Sequence, residues 1–532
     1  MAYPVYLTIG NIPKEIRRKP SRCAQILVAY IPTTKFVGMT NKTGRTRAQA
    51  NLFHSCMRLL VAPLNSVGET GIKMMSGDGI WRRCHPIFAA FIGDYPEQTL
   101  VTCTYKDYCP KCHVPYGQLG EYDHFSPRNF DQALNLYLLA DGDGHAFHAA
   151  CHEAKLKPVY HPFWESLPLA DIYLSITPDV LHQMLQGVMK HIIKWLKHPG
   201  TFGPAQINAR CKSLPPNHHI TLFPGGITHL SRVSGAEHKN MCRILIGLVI
   251  NLPLPNRQGS ARVIKAVRAL LDFLYLAQFP SHTSETLGLL DDSLAQFHQN
   301  KSVFVDLGVR EHFNIPKFHS LIHYTSSISL FGTIDNYNTE QSERLHIDFA
   351  KNAYRATNRK DEYPQMTTWL ERREKLEQHV IAIEARQNAS CCHDTPGEHA
   401  TTPIGPPRIG TRNIKMAQTP SARSVRFDDI VREYGAENIL DALADFIAQI
   451  NHAGASSAVL QARSRNTLIP FSSVHVFHKI KFTCPSSSDI VDTIHVRAER
   501  KDPNGRVIPS RFDTALVRSR DSNSIHGVNG EH

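Results

Sequence analysis

A chain of 532 residues is long enough for two or three domains with buried cores, and its 12 scattered cysteines exclude a disulfide framework. Its formal net charge of +12 points to a polyanionic partner, nucleic acid before membrane. The scattered cysteines argue for a reducing compartment with thiols or zinc; no stretch reads as a signal peptide, no apolar run reaches spanning length, and a membrane partner is not expected.

In chain order, 3–9 and 25–31 read as strands, rich in β-branched or aromatic residues and bounded by turn residues. Residues 48–62 read as a helix stopped by Pro63. The run 80–93 reads as one or two strands and 99–104 as another, which predicts an α/β layer in the first hundred or so residues. From about residue 130 the pattern turns helical. Val180, Leu181, Met184, Leu185, Val188, Met189, Ile192 and Ile193 recur at helical spacing after the start signal Pro178 and Asp179. Helices are expected over 236–250, 261–279, 284–298, 339–354 and 365–385, and so many of them inside an α/β frame read as an insertion. Residues 387–424, with Pro396, Pro403, Pro406, Pro407 and Pro420, read as a linker. A helix over 437–451 and strands over 474–482 and 492–496 follow, and the tail is expected to be disordered.

Cys109 and Cys112 form a Cys-x-x-Cys pair that lets two thiolates reach one tetrahedral zinc. His319 and His323 stand at i, i+4, so one helix face can supply two imidazoles, with Pro316 placed where a first helical turn accepts proline. Together they predict one structural zinc closed over a very long loop; the plainer account is structural thiols and surface histidines in a chain with 30 His. A second cluster, His145, His148 and His152 with Cys151, has metal-type residues in a polar segment that reads as a loop. Among acids, Asp94 ends a strand-like run where a carboxylate can face a cleft. Asp78, between two glycines, is a turn residue by default and a rival candidate. Glu340 and Glu343 share the first turn of an expected helix, where negative charge also suits the macrodipole. Asp179 and His182 share a helix face, with Asp179 as a cap. Lys14, Arg17, Arg18, Lys19, Arg22, Arg45 and Arg47 crowd a segment whose one acid is Glu15, and phosphate contact with duplex DNA is expected of it.

Several stretches carry a family resemblance. They are 4–12 (Pro-Val-Tyr-Leu-Thr-Ile-Gly-Asn-Ile), 94–98 (Asp-Tyr-Pro-Glu-Gln), 109–112 (Cys-Pro-Lys-Cys), 178–183 (Pro-Asp-Val-Leu-His-Gln), 313–319 (Phe-Asn-Ile-Pro-Lys-Phe-His) and 343–349 (Glu-Arg-Leu-His-Ile-Asp-Phe). In them the chain resembles the Plavaka-type transposases of basidiomycete, mushroom-forming fungi, within the CACTA/Mirage/Chapaev group of cut-and-paste elements. The resemblance covers roughly 1–380 and, more loosely, 430–518.

The resemblance implies an RNase H-like core carrying Asp-Asp-Glu and interrupted by a helical insertion. It also implies two Mg or Mn ions about 4 Å apart that serve in-line attack on phosphodiesters. By position, Asp94 (rival Asp78) would be the second acid and Glu343 (rival Glu340) the third. The family's first Asp lies upstream of the Pro-Val-Tyr-Leu-Thr motif, so an N-terminally truncated copy is expected, with the C-terminal domain also short of its last strands.

The expected fold class is α/β, a partial RNase H-like core with a large helical insertion and a smaller α+β C-terminal domain. Its expected parts are the N-terminal part of the core with the Cys pair (1–125), the insertion ending in the His pair (126–338) and the C-terminal core helices (339–386). The linker (387–424), the small domain (425–518) and the tail (519–532) complete it. The function expected is that of a nuclear, transposase-derived DNA-binding protein, catalytically incomplete, binding double-stranded DNA such as transposon ends and able to form homo-oligomers. A co-opted non-enzymatic binder and a structural zinc protein without a nucleic-acid role are the alternatives.

Overall fold

Strand β1 (Tyr3–Thr8) runs antiparallel to β2 (Gln25–Ile31), pairing Tyr3 with Ile31 and Thr8 with Gln25 around a bulge at Val5/Tyr6. The pairing is seen in a computed structural model that describes residues 3–76, 78–215, 220–255, 259–391, 413–416, 419–452, 454–483 and 491–501, with short pieces at 505, 507–508, 510–512, 517–518 and 525–526. The chain divides into two units, Met1–Thr395 and Pro396–His532.

In the first unit, the Lys42–Thr70 helix begins where the Asn41 side chain accepts from the amides of Thr43 (2.9 Å) and Gly44 (3.2 Å). Its residues Ala50, Phe53, His54, Met57 and Val61 are buried, a stripe at helical spacing. Phe53 and Met57 pack with Ile31 of β2, and Tyr3 and Val5 of β1 lie against the same cluster. The helix does not stop at Pro63 as the sequence suggested. It runs through the proline, which forgoes one backbone bond, and ends at Gly71, whose φ of +73° a side chain would resist.

A short antiparallel hairpin follows, β3 (Ile72–Met75) with β4 (Trp81–Cys84). Only this part of the expected 80–93 strand run is extended pairing; farther on, Phe91 makes one isolated parallel bridge to Ile176. The segment 99–104 is not the strand its residues suggest. Tyr95–Val101 is a helix, because the Asp94 side chain caps the Glu97 amide at 3.0 Å and Pro96 suits a first turn. Those start signals outweigh the β-branched residues that follow.

The helical part matches its periodicity. The apolar stripe from Val180 is buried in a wide π-type turn, Val180–Met189, that continues as the Lys190–Leu196 helix. Around it pack Gly235–Val249, Ala261–Ala277 and Ser284–Asn300, forming one core with Trp195 stacked on Phe318 at 5.4 Å. Thr339–His346, a π-type turn over Ile347–Asn352 and Ala353–Arg355 fill the span read as one helix, and Glu362–Cys391 follows. Helices and small antiparallel sheets thus share this unit, which accords with an α/β class.

In the second unit, Asn413–Met416, Lys479–Thr483, Val491–Arg497 and Arg511–Phe512 form a four-stranded antiparallel sheet. Ala422–Arg426 pairs with Ser473–Val476, and Ile439–Asn451 is the helix expected there. Pro396, Pro403, Pro406 and Pro407 of the expected linker, and all of 519–532 but Ile525 and His526, lie outside the described residues.

Candidate metal centre and an adjoining acidic cluster

Cys109 and Cys112 sit on a tight loop whose backbone is pinned on the 126–128 segment. His113 donates its amide to the Ser126 carbonyl (2.9 Å), the Arg128 amide bonds the Lys111 carbonyl (3.0 Å), and the Arg128 side chain bonds the Cys109 carbonyl (2.8 Å). His319 closes the Pro316–His319 turn and His323 closes the next, Ser320–His323. The four side chains meet: Cys112 Sγ lies 3.1 Å from His319 Nε2 and 3.7 Å from His323 Nε2, and Cys109 Sγ lies 3.3 Å from His323 Nε2. All four ligand atoms fall within 4.8 Å of one another.

A zinc tetrahedron with bonds of about 2.0–2.3 Å has edges of roughly 3.3–3.8 Å, so the spacing fits one ion. Cys109, Cys112 and His319 are at most 2 % exposed, which makes the site closed and suits a structural ion. Burial alone would raise the Cys109 thiol, but bonds from Cys112, His319 and His323 reverse this and hold it well below its usual value, while Cys112, bonded to Cys109, is pushed up. A proton shared by two thiols is what a dication displaces. The Nδ1 of His319 is buried with no hydrogen-bond partner, so its ring is steered by packing on Phe125 (5.8 Å).

Among the described residues this is the one group of three or more metal-type side chains gathered for a single ion. The second histidine cluster is not gathered. It lies on the Gly144–Glu153 helix rather than a loop, with Cys151 buried, His145 and His152 exposed, and His148 3.4 Å from the Arg47 guanidinium.

The predicted acids fall into three places. Asp78 is the turn residue of the β3–β4 hairpin: Arg82 grips both its oxygens (2.8 and 2.7 Å), and with Ser76 and the Ile80 amide holds its carboxyl well below the usual range. Glu340 pairs with Lys239 at 2.6 Å. Glu343 belongs to a bonded cluster that the sequence did not reveal as such, and Asp94 stands beside it as a charge that Lys317 and Glu97 feel. Glu343 bonds His182 Nε2 at 3.0 Å, and His182 Nδ1 bonds Asp179 at 2.7 Å. Asp179 also caps the amides of Leu181 and His182 and takes the Thr339 hydroxyl at 2.6 Å. Bonds from Asp179 first and Glu343 second raise His182 to about 10, so it is an imidazolium at neutral pH.

Lys317 donates to the His182 carbonyl at 2.8 Å and lies in the field of both Asp179 and Asp94. Glu97, which accepts the Tyr3 hydroxyl at 2.7 Å, is raised by burial and lies in the fields of Asp94 and His182. A cleft lined by Gln98, Cys109, Lys111, Thr177, Gln183 and His323 opens beside the thiol–imidazole knot. The sequence shows Asp179 and His182 on one helix face, but nothing in the stretch 178–183 points to Glu343 as the second partner of His182.

A pair of Mg or Mn ions needs carboxylates converging on shared points. The cluster does not offer them in this arrangement: Glu343 and Asp179 clamp an imidazolium, Glu97 holds a phenol, and Asp94 caps a helix.

The basic segment is divided. Lys14 donates to Asp335 (3.0 Å), Thr333 and the Pro280 carbonyl, and Arg17 to Asn336 and the Ile12 carbonyl, so both staple the chain to itself. Arg18, Lys19, Arg45 and Arg47 are half-buried and Arg22 is exposed.

The sequence profile of the Plavaka transposase family matches residues 1–196, the part that carries β1, Asp94, the Cys pair, Asp179 and His182. No curated protein matches the chain.

Proposed function

We propose that the chain is a Plavaka-type, transposase-derived protein that binds duplex DNA in the nucleus, on an RNase H-like core fastened by one structural zinc. The observation that carries this is the assembly of residues inside the matched region with residues far beyond it. Cys109 and Cys112 meet His319 and His323, and Asp179 and His182 meet Thr339 and Glu343. A family that places its last acid after a long helical insertion needs both joins.

In this reading the knot would hold zinc through two thiolates and two imidazoles and supply no chemistry beyond fastening. Asp179 fixes His182 through Nδ1, and His182 fixes Glu343 through Nε2, so the last acid is held by a charged group rather than offered to a metal. The chain alone therefore binds DNA without cutting it. The experiment is titration of a labelled duplex with the purified chain over a salt series, with nicking in manganese read on a denaturing gel. A steep loss of affinity with salt and an uncut strand are expected. Absence of binding would leave only a zinc-fastened scaffold, and nicking abolished by Asp94→Ala and Glu343→Ala would restore an active enzyme.

A further inference from the structure

The β3–β4 hairpin has no part in the knot or the acidic cluster, and it shows the solvent what proteins usually hide. Trp81 is 66 % exposed, Met75 62 % and Ile80 55 %, whereas Trp164 and Trp195 are buried at 0 % and 2 %. Tryptophan is highly buried on average, so an exposed one on a defined strand is informative. The register sorts the residues by face. Met75 pairs with Trp81 and Lys73 with Arg83, so these four share one face, while Met74, Arg82, Ile72 and Cys84 share the other.

The hairpin is held at both ends. At its root, Arg83 donates to the Thr70 carbonyl (2.9 Å) and His85 bonds the Gly68 carbonyl (2.9 Å). A Cβ on Gly71 would come within 2.6 Å of the Arg83 side chain. At its tip, Asp78 binds Ser76, Ile80 and Arg82. That ion pair neutralises the hairpin's one acid, so the Trp81 face keeps the charges of Lys73 and Arg83.

We propose that this face is a nucleic-acid contact, in which Trp81 stacks on an unstacked DNA base and Lys73, with the part of the Arg83 guanidinium that Thr70 does not hold, meets the flanking phosphates. The proposal rests on the DNA-binding reading above. Charge complementarity selects the occupant. A flat aromatic beside two cations suits a chain of π-faces and phosphates. A second copy of this face would set Lys73 and Arg83 against their own kind.

The test uses the full chain with three labelled probes: a paired duplex, the same duplex with a central unpaired base, and its single strand. Probes with unpaired bases should quench tryptophan fluorescence. Trp81→Ala should weaken their binding about five- to 150-fold, the range for loss of one stacked base, and leave the paired duplex unchanged. Trp81→Phe should keep most of the affinity and lose the quench. Trp81 contributes little to the core, so an unchanged melting curve checks the fold. Equal binding of all probes by wild type and Trp81→Ala overturns the hairpin proposal while leaving DNA binding intact. A shift from dimer to monomer in Trp81→Ala overturns it in favour of self-association. A wild-type chain that binds no probe removes both readings.

Discussion

His182 is the residue on which the acidic cluster turns. Asp179 is 1 % exposed and its charge is balanced there by an imidazolium 2.7 Å away. Removing that partner leaves a buried anion held by a hydroxyl and two amides, with Lys317 in its field, so His182→Ala should cost about 1.5–3 kcal/mol. The cost depends on pH in a fixed direction. Because the folded value is raised to about 10, the stabilisation is complete below the ordinary histidine pKa near 6.5 and is lost as pH rises through about 10. Urea unfolding of wild type and His182→Ala at about pH 6 and about pH 10 should show the gap narrow at the higher pH. A gap that widens would place the charge elsewhere.

The four ligands make a sharper claim. The purified chain should carry one equivalent of zinc by elemental analysis, and Cys112→Ser or His319→Ala should abolish it and lower the melting temperature. A zinc content unchanged in both variants would refute the closed site. The gathering of these four residues was legible in the sequence, because Cys-x-x-Cys and an i, i+4 His pair are spacings that suit one zinc ion. Glu343 was legible as an acid but not as the partner of His182. The pair that holds His182, Asp179 three residues before it and Glu343 far along the chain, reads locally as a helix cap and a helix charge.

Among the elements, the turn Lys14–Arg17 behaves as a strap between β1 and β2. Its cations reach the 333–336 turn and hold it through Asp335 and Asn336. Arg17→Ala should therefore destabilise by about 1–2 kcal/mol through lost hydrogen bonds, and leave the salt dependence of DNA binding as it was. Replacing Lys19 and Arg22 should do the reverse and reduce the salt slope by about two if each meets a phosphate. Unfolding and binding measured on both variants separate the two roles.

The long helices were readable from periodicity, since Val180 to Ile193, Gly235–Val249 and Ala261–Ala277 bury the stripes their spacing marks. The stretch 99–104 reads as a strand because Thr99, Val101, Thr102 and Thr104 favour strands one by one, while the cap and Pro96 act at the helix start. By local rules Pro63 is a stop. The helix runs on to Thr70 with Gly68 buried where a Cβ would strike Pro168 at 2.5 Å, a tertiary contact no local pattern displays.

For the whole molecule, the first unit contains every partner of the knot and the acidic cluster. A fragment of residues 1–395 should then unfold in one transition and keep its zinc equivalent. Loss of the metal on removing Pro396–His532 would mean that the second unit is needed to form the site. Charge also has a meaning at this scale: the excess of cations is legible as a total, but the total does not say which are already engaged. Lys14 and Arg17 could be sorted from Arg22 only once their carbonyl and carboxylate partners were seen.

The knot also has a birth order. Cys112 meets an imidazole 207 positions later, and Cys109 one 214 positions later. At ribosomal speeds, the thiols emerge about 10–40 s before their histidines exist. During that interval the Cys109–Cys112 pair must retain any ion it takes up without its two imidazoles. Zinc supply during synthesis, more than zinc added afterwards, should decide how much of the nascent protein reaches its native topology.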